Sequence, residues 1–260
     1  MVNVAPDFLT LPARAVKPRR SGITHVLDKG LPVDEVDAVL GVCGAYVDVW
    51  KLGWGTAYLD PGLRQKLAVL GRHDVLACVG GTLLEVAWHQ GVESEFLDWA
   101  ADVGFPCVEV SCGAVTMSPD RRRRLTEAAA ERFLVFSEIG SKDVSADVDP
   151  AVWARDASDA LATGATWVVT EGRESGTVGL YDRDGSVRER VVDAVVGAVG
   201  ADRVLFEAPR KDQQAWLLRR FGADANLANI AVSEVLGLEA LRLGLRADTL
   251  DTSSGPVRAR

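Results

Sequence analysis

The chain is poor in the residues that usually announce a metal centre or a disulfide framework. Its 260 residues include four cysteines and three histidines. Cys43, Cys78, Cys107 and Cys112 form no CxxC pair and have no histidine at zinc spacing. Structural zinc sites are therefore not indicated, and buried, reduced thiols are the reading. His25, His73 and His89 are too scattered for a metal triad and are read as structural. No apolar run reaches the roughly 20 residues needed to cross a bilayer. The first residues, MVNVAPDFLTLPARAVKPRRSG, carry their positive charges after a short apolar piece broken by Pro6 and Pro12. A secretory signal has the reverse order, so a cytoplasmic protein with no membrane partner is expected. Positive charge is also in deficit. A net charge of −8 argues against nucleic acid as the main partner, although it leaves room for a local cationic pocket.

What is present is an ordinary globular composition, 48% hydrophobic and 25% charged. At this length the chain buries a large core, and barrels of about 250 residues are single domains. Eight short apolar runs recur along it: ITHVLD from Ile23, YVDVWK from Tyr46, VLACV from Val75, CVEVS from Cys107, FLVFSE from Phe133, TWVVTE from Thr166, RVLFE from Arg203 and ANLANI from Ala225. Helical segments lie between them. Helix starts are expected at Asp60 with Pro61, at Ser118 with Pro119, and at Asp149, each a cap residue followed by proline. Spacings of roughly 20 to 40 residues are those of βα units, and eight units make a TIM barrel. A doubly wound open sheet is disfavoured because no GxGxxG follows the first strand. The expected organisation is an N-terminal extension over 1–22, a single-domain α/β (β/α)8 barrel over 23–250, and a frayed tail over 251–260.

Each apolar run gives way to polar residues, as in TWVVTEGRESG. In a barrel these strand ends share one mouth, where active sites form. Glu109, Glu138, Glu171 and Glu207 are read as oxygen ligands for a hard cation, most simply Mg²⁺. Lys29, Lys51, Lys142, Arg173 and Lys211 form a cationic set suited to a highly anionic small substrate. Together they suggest a phosphorylated carboxylate held by metal and cations. Mutual salt bridging across the barrel top is the alternative reading. Gly80, Gly81 and Thr82 open a helix whose N–H groups could face an anion, and Asn226 and Asn229 close the eighth strand.

The segments ITHVLDKGLP, DVWKLGWGT, GGTLLEVA, GFPCVEVS, SEIGSKD, TEGRESG, GLYDRDG, LFEAPRKDQQ, NLANI and LEALRLGLRADT stand in the order found in the phosphosulfolactate synthase family, which this chain resembles from about Phe8 to Thr249. The resemblance implies a (β/α)8 barrel and Mg²⁺-dependent addition of sulfite to phosphoenolpyruvate, an early step toward coenzyme M. It also implies that Lys142 is the general acid. Arg173 is expected to assist catalysis, and Lys29, Lys51, Gly80, Gly81, Thr82, Lys211, Asn226 and Asn229 to bind substrate. Two departures stand out. Ser141-Lys142 replaces a lysine pair, and Cys112 replaces an aspartate. They leave open a related phosphoenolpyruvate lyase with another nucleophile, or a non-catalytic stress-related barrel. Trp88, Trp99, Trp153 and Trp216 are read mainly as helix–barrel packing, with a homo-oligomer interface as the other use.

Overall fold

The computed structural model describes residues 6–113, 115, 117–140 and 148–252. Eight parallel strands close into one barrel in sequence order: β1 Thr24–Asp28, β2 Val49–Leu52, β3 Leu76–Val79, β4 Cys107–Val110, β5 Leu134–Ile139, β6 Trp167–Thr170, β7 Val204–Glu207 and β8 Leu227–Ala231. Each coincides with one of the apolar runs legible in the sequence, although β2, β5 and β8 extend one residue beyond, to Leu52, Ile139 and Ala231. Ten α-helices are present among the described residues: α1 Val33–Cys43, α2 Thr56–Leu59, α3 Leu63–Arg72, α4 Gly81–Gln90, α5 Glu93–Val103, α6 Pro119–Ala130, α7 Pro150–Ala162, α8 Glu189–Val199, α9 Lys211–Phe221 and α10 Val235–Arg242. Within these residues no helix is long and apolar enough to cross a membrane.

The strands are short because they must alternate between two cores. Side chains such as Val26, Trp50, Val108, Val135, Phe206 and Leu227 face outward and pack against the helices. Ile23, Val49, Cys78, Cys107, Phe136, Val169, Leu205 and Ala228 face inward and form a separate apolar plug, one residue from each strand or just ahead of it. This is period-two alternation in a closed sheet. Trp153 is buried, while Trp88, Trp99 and Trp216 are half-buried against the same outer core, so all four serve packing. The four cysteines are free thiols, and Cys78 and Cys107 sit side by side inside the barrel.

The helix starts follow the expected caps in two places. Asp149 accepts from the Ala151 N–H at 2.8 Å, whereas Ser118 holds the cap position of α6 ahead of Pro119 without a side-chain capping bond. Asp60 does not cap α3, which begins at Leu63. Instead its Oδ1 accepts from Gly62 N–H at 2.8 Å, while Oδ2 pairs with the buried Lys66.

The residues ahead of β1 are pinned across the opposite end of the barrel from the mouth. Arg14 makes two bonds to Glu239, at 2.8 and 3.0 Å, and Arg19 pairs with Asp48 at 2.9 Å. Beneath them the fully buried Arg242 donates to the carbonyls of Ala223, Ala225 and Ile23. Burial lowers its pKa to about 9. The β1–β8 seam is irregular: Thr24 faces Leu227 but Val26 faces Ile230, so β8 carries one extra residue there.

Candidate active site

Two residues beyond the apolar plug, the inward positions become Lys51, Gly80, Glu109, Glu138, Glu171 and Glu207, while His25 sits a step lower beside Phe136. All but His25 line a cavity of about 290 Å³ at the C-terminal mouth, together with Gly81, Thr82, Gly113, Arg173, Glu174 and Asn229. The alternation that builds the core thus delivers a layer of ionisable groups directly above it.

Lys51 is the hub. Its buried ammonium lies 2.8 Å from Glu109 Oε2 and 3.5 Å from Glu207 Oε1. Burial alone would depress this lysine, but Glu109, Glu207 and Glu138 outweigh it and hold it above the ordinary lysine range. Burial likewise works against the Glu109 carboxylate, yet Lys51 keeps that group below its usual value. Glu207 goes the other way. Burial pushes it up to about 7, against the pull of Lys51 and with Glu171 and Glu109 adding to the rise. Backbone N–H groups tie the glutamates to their loops: Gly81 to Glu109 at 3.0 Å, Gly172 to Glu207 at 2.8 Å, and Arg173 to Glu171 at 2.7 Å. Beneath the layer His25 is fully buried, and burial lowers its pKa to about 3, so it is a neutral core imidazole.

Of the residues expected from the sequence, Lys51, Gly80, Gly81, Thr82, Glu109, Glu138, Glu171, Arg173, Glu207 and Asn229 are brought together at this cavity. Lys29 stands at its rim, half-exposed, 2.7 Å from Glu174 and over the Trp54 ring. Mutual salt bridging therefore describes Lys29 and Lys51. Two residues lie elsewhere. Asn226 precedes β8 at the opposite end of the barrel. There its Oδ1 accepts from Ile23 N–H, and its amide nitrogen donates to Ala201, Asp202 and Val204 carbonyls. It is a strand-start tie and not a mouth residue. Lys211 opens α9, and the helix turns it to Asp248, 2.8 Å away. Lys211→Ala is accordingly expected to leave substrate affinity unchanged within error, which steady-state KM measurements check. Ser141 and Lys142 lie outside the described residues.

Two further groups shape this mouth: Glu85, of which the sequence offered no sign, and Asp28, whose place at the end of the first apolar run suggested the cavity itself. Glu85, on α4, is buried and accepts from the Ser111 hydroxyl and from the N–H groups of Gly113 and Val115 at 3.0 and 2.9 Å, anchoring the loop after β4. Asp28 faces outward to Trp50 and Lys66, at 3.0 and 3.2 Å, and its other oxygen fixes Gly30 and Leu31 in the loop that carries Lys29. A charged helix residue normally faces solvent, so nothing local marks Glu85 or Lys66 as buried.

Backbone strain also concentrates here. Four described non-glycine residues occupy the left-handed region, and three of them, Trp54, Arg173 and Asn229, line the cavity. Such strain persists where the fold holds a functional geometry. Among the described residues no three His, Cys, Asp or Glu side chains are gathered closely enough to hold a metal ion by themselves. Mg²⁺ commonly takes one or two carboxylates, with water and substrate oxygens completing its shell. The oxygen-only donor set of this cavity fits that pattern. Lys51 stands between Glu109 and Glu207, and Glu138 and Glu171 line the same cavity, so the metal-ligand candidates are the carboxylates of this one layer.

Comparison with known proteins gives this arrangement a family. The sequence profile of (2R)-phospho-3-sulfolactate synthase (ComA) matches residues 12–248. The phosphosulfolactate synthase of Methanothermobacter thermautotrophicus is 39% identical over 250 residues, covering 94% of this chain and 96% of that protein. That of Methanocaldococcus jannaschii is 40% identical over 236 residues, covering 88% and 93%. Among solved structures, a 3-hexulose-6-phosphate synthase superposes with a TM-score of 0.55 at 17% identity, covering 84% of this chain and 99% of that one, a likeness of fold alone. The chain belongs to the (2R)-phospho-3-sulfolactate synthase family.

Proposed function

We propose that this chain is a carbon–sulfur lyase that adds sulfite to phosphoenolpyruvate, giving (2R)-O-phospho-3-sulfolactate. The observation that carries the reading is the cavity layer of Lys51, Glu109, Glu138, Glu171 and Glu207, in a chain matched over residues 12–248 by that family. In the reaction the sulfur lone pair forms a bond to the methylene carbon, the C=C pair moves onto the carboxylate, and a proton is added at the phosphate-bearing carbon. The phosphate stays on throughout.

The methylene carbon of phosphoenolpyruvate is ordinarily nucleophilic, so the site must stabilise negative charge on the carboxylate side. Mg²⁺, held by carboxylates among Glu109, Glu138, Glu171 and Glu207 with substrate oxygens, would supply positive charge there. Lys51 contributes a fixed ammonium whose third N–H remains after its two carboxylate partners. Arg173 presents an exposed guanidinium at the rim, suited to bidentate contact with phosphate or sulfite. Lys142 is the proposed acid that delivers the proton, on the strength of its place in the SEIGSKD segment.

Phosphorus NMR of the protein with phosphoenolpyruvate, Mg²⁺ and sulfite tests this directly. A new sulfite-dependent phosphate-ester resonance is expected, with the product mass of phosphosulfolactate. Persistence of phosphoenolpyruvate despite binding would sink the assignment of sulfite as nucleophile. Failure to bind phosphoenolpyruvate at all would sink the substrate.

A further inference from the structure

The extra residue in β8 has a specific result. Three residues of β8 span two of β1 between the Thr24–Leu227 and Val26–Ile230 pairs, which is a β-bulge. Leu227 and Ile230 both pack in the outer core, and Ala228 faces the inner plug. Asn229 is left to adopt φ +55 and line the cavity. Bulges at barrel rims re-aim side chains next to active sites. Asparagine is one of the few residues besides glycine that accept this backbone conformation.

The oxygen of the re-aimed side chain is unsatisfied. Asn229 is 7% exposed, and among the described residues nothing donates a hydrogen bond to its buried Oδ1. A buried polar atom without a partner is costly, and native structures keep one where something else completes it. A strained backbone and an unmet amide therefore coincide at one point of the cavity wall.

Its neutrality explains why an amide stands there. The described lysines offered by the strand ends are each held by a carboxylate: Lys51 by Glu109 and Glu207, Lys29 by Glu174, Lys211 by Asp248. A cation at position 229 would meet Glu207, which lies opposite Ala228 on β7. An amide forms no ion pair, and a half-turn of its terminal bond exchanges Oδ1 for the two N–H donors of Nδ2. It stays available to an anion in an acidic pocket.

We propose that Asn229 is a substrate-reading residue whose Nδ2 donates to an oxyanion of the bound substrates. The choice among phosphate, carboxylate and sulfite oxygens rests on the reading of function given above.

Two variants test it. Asn229→Gly keeps the left-handed backbone and removes the amide; Asn229→Asp keeps the shape and replaces the donor with a carboxylate. Wild-type turnover is measured first, and its absence would remove the proposed reaction while leaving this inference to the binding measurements. Calorimetry then follows phosphoenolpyruvate, inorganic phosphate, sulfite and oxalate on all three proteins. Asn229→Gly is expected to weaken phosphoenolpyruvate binding about 10- to 100-fold, the range of one hydrogen bond to a charged group. Asn229→Asp is expected to weaken it further, with KM rising more than kcat falls and the melting temperature of Asn229→Gly unchanged or raised. The simple anion whose affinity falls with phosphoenolpyruvate names the oxyanion that is read. Unchanged affinity in Asn229→Asp for every probe would overturn the proposal, as would wild-type protein that binds none of them. Equal losses in both variants, accompanied by a fall in melting temperature, would reduce Asn229 to a structural role and overturn it too.

Discussion

Replacing Lys51 with methionine is expected to remove turnover and to destabilise the fold by about 3–5 kcal/mol at neutral pH, the usual cost of leaving a buried charge without its partner. Methionine fills much of the volume, so the loss is electrostatic more than steric. The groups left behind are Glu109 and Glu207, both buried against Lys51 at 2.8 and 3.5 Å in the native site.

The pH dependence follows from the two carboxyls. In the native protein Glu109 is held below its ordinary value by Lys51, so its contribution is present above the unfolded value and is lost only in acid. Glu207, raised to about 7 chiefly by burial, prefers its proton in the folded state and disfavours folding as pH rises toward 7. Without Lys51 both carboxyls behave like Glu207 and more strongly. The deficit of the variant should therefore be small near pH 5 and largest near pH 8. Denaturant unfolding at the two pH values measures it, and an equal deficit at both would assign the loss to packing. Adding Glu109→Gln to Lys51→Met should recover part of the stability and none of the turnover.

Gly81→Ala is the second large effect. Alanine is the better helix former by up to about 1 kcal/mol, and Gly81 opens α4, so propensity favours the change. Space forbids it. A Cβ there would overlap Ser111 Oγ and stand 2.7 Å from Ser111 Cβ and 3.2 Å from Glu109 Oε1. Relief requires α4 to move off the end of β4, which stretches the Gly81–Glu109 bond and disturbs the Lys51 hub. A loss of about 2–3 kcal/mol is expected, typical of overpacking, with turnover falling at least as steeply as stability. Thermal melting and steady-state rates check both. Adding Ser111→Gly removes the overlap but also a donor to the buried Glu85, so it should restore only part of the stability. Gly71→Ala, in α3 with nothing within 4 Å of the new Cβ, should instead stabilise slightly. If Gly81→Ala behaves like Gly71→Ala, the close approach of α4 to β4 is not what positions Glu109.

The barrel and most of its mouth were legible because both rest on period-two alternation. Once CVEVS, FLVFSE, TWVVTE and RVLFE are aligned as strands, Glu109, Glu138, Glu171 and Glu207 must share a face with the apolar residue two positions earlier. The misplaced residues fail where that period is interrupted. Asn226 and Asn229 both stand within ANLANI with equal claims to a strand end, and only the start of β8 at Leu227 and the bulge that follows separate them. Lys211 sits four residues after Glu207, but a three-residue loop hands it to α9, whose turn faces Asp248. Glu85 and Lys66 were illegible for another reason: their burial depends on loops that fold back from elsewhere in the chain.

The clamp across the closed end of the barrel bears on the order of assembly. Arg14 and Glu239 are 225 positions apart, and Arg242 and Ile23 are 219 apart. These contacts bracket the β1–β8 seam, so the step that turns an open sheet into a cylinder joins the two ends of the chain. Contacts so distant in sequence carry a large loop-closure entropy and form late. A chain emerging from the ribosome would hold one edge of β1 unpaired until β8 has been made. The lifetime of that exposed edge, more than the strength of any single contact, then sets how readily newly made chains associate wrongly.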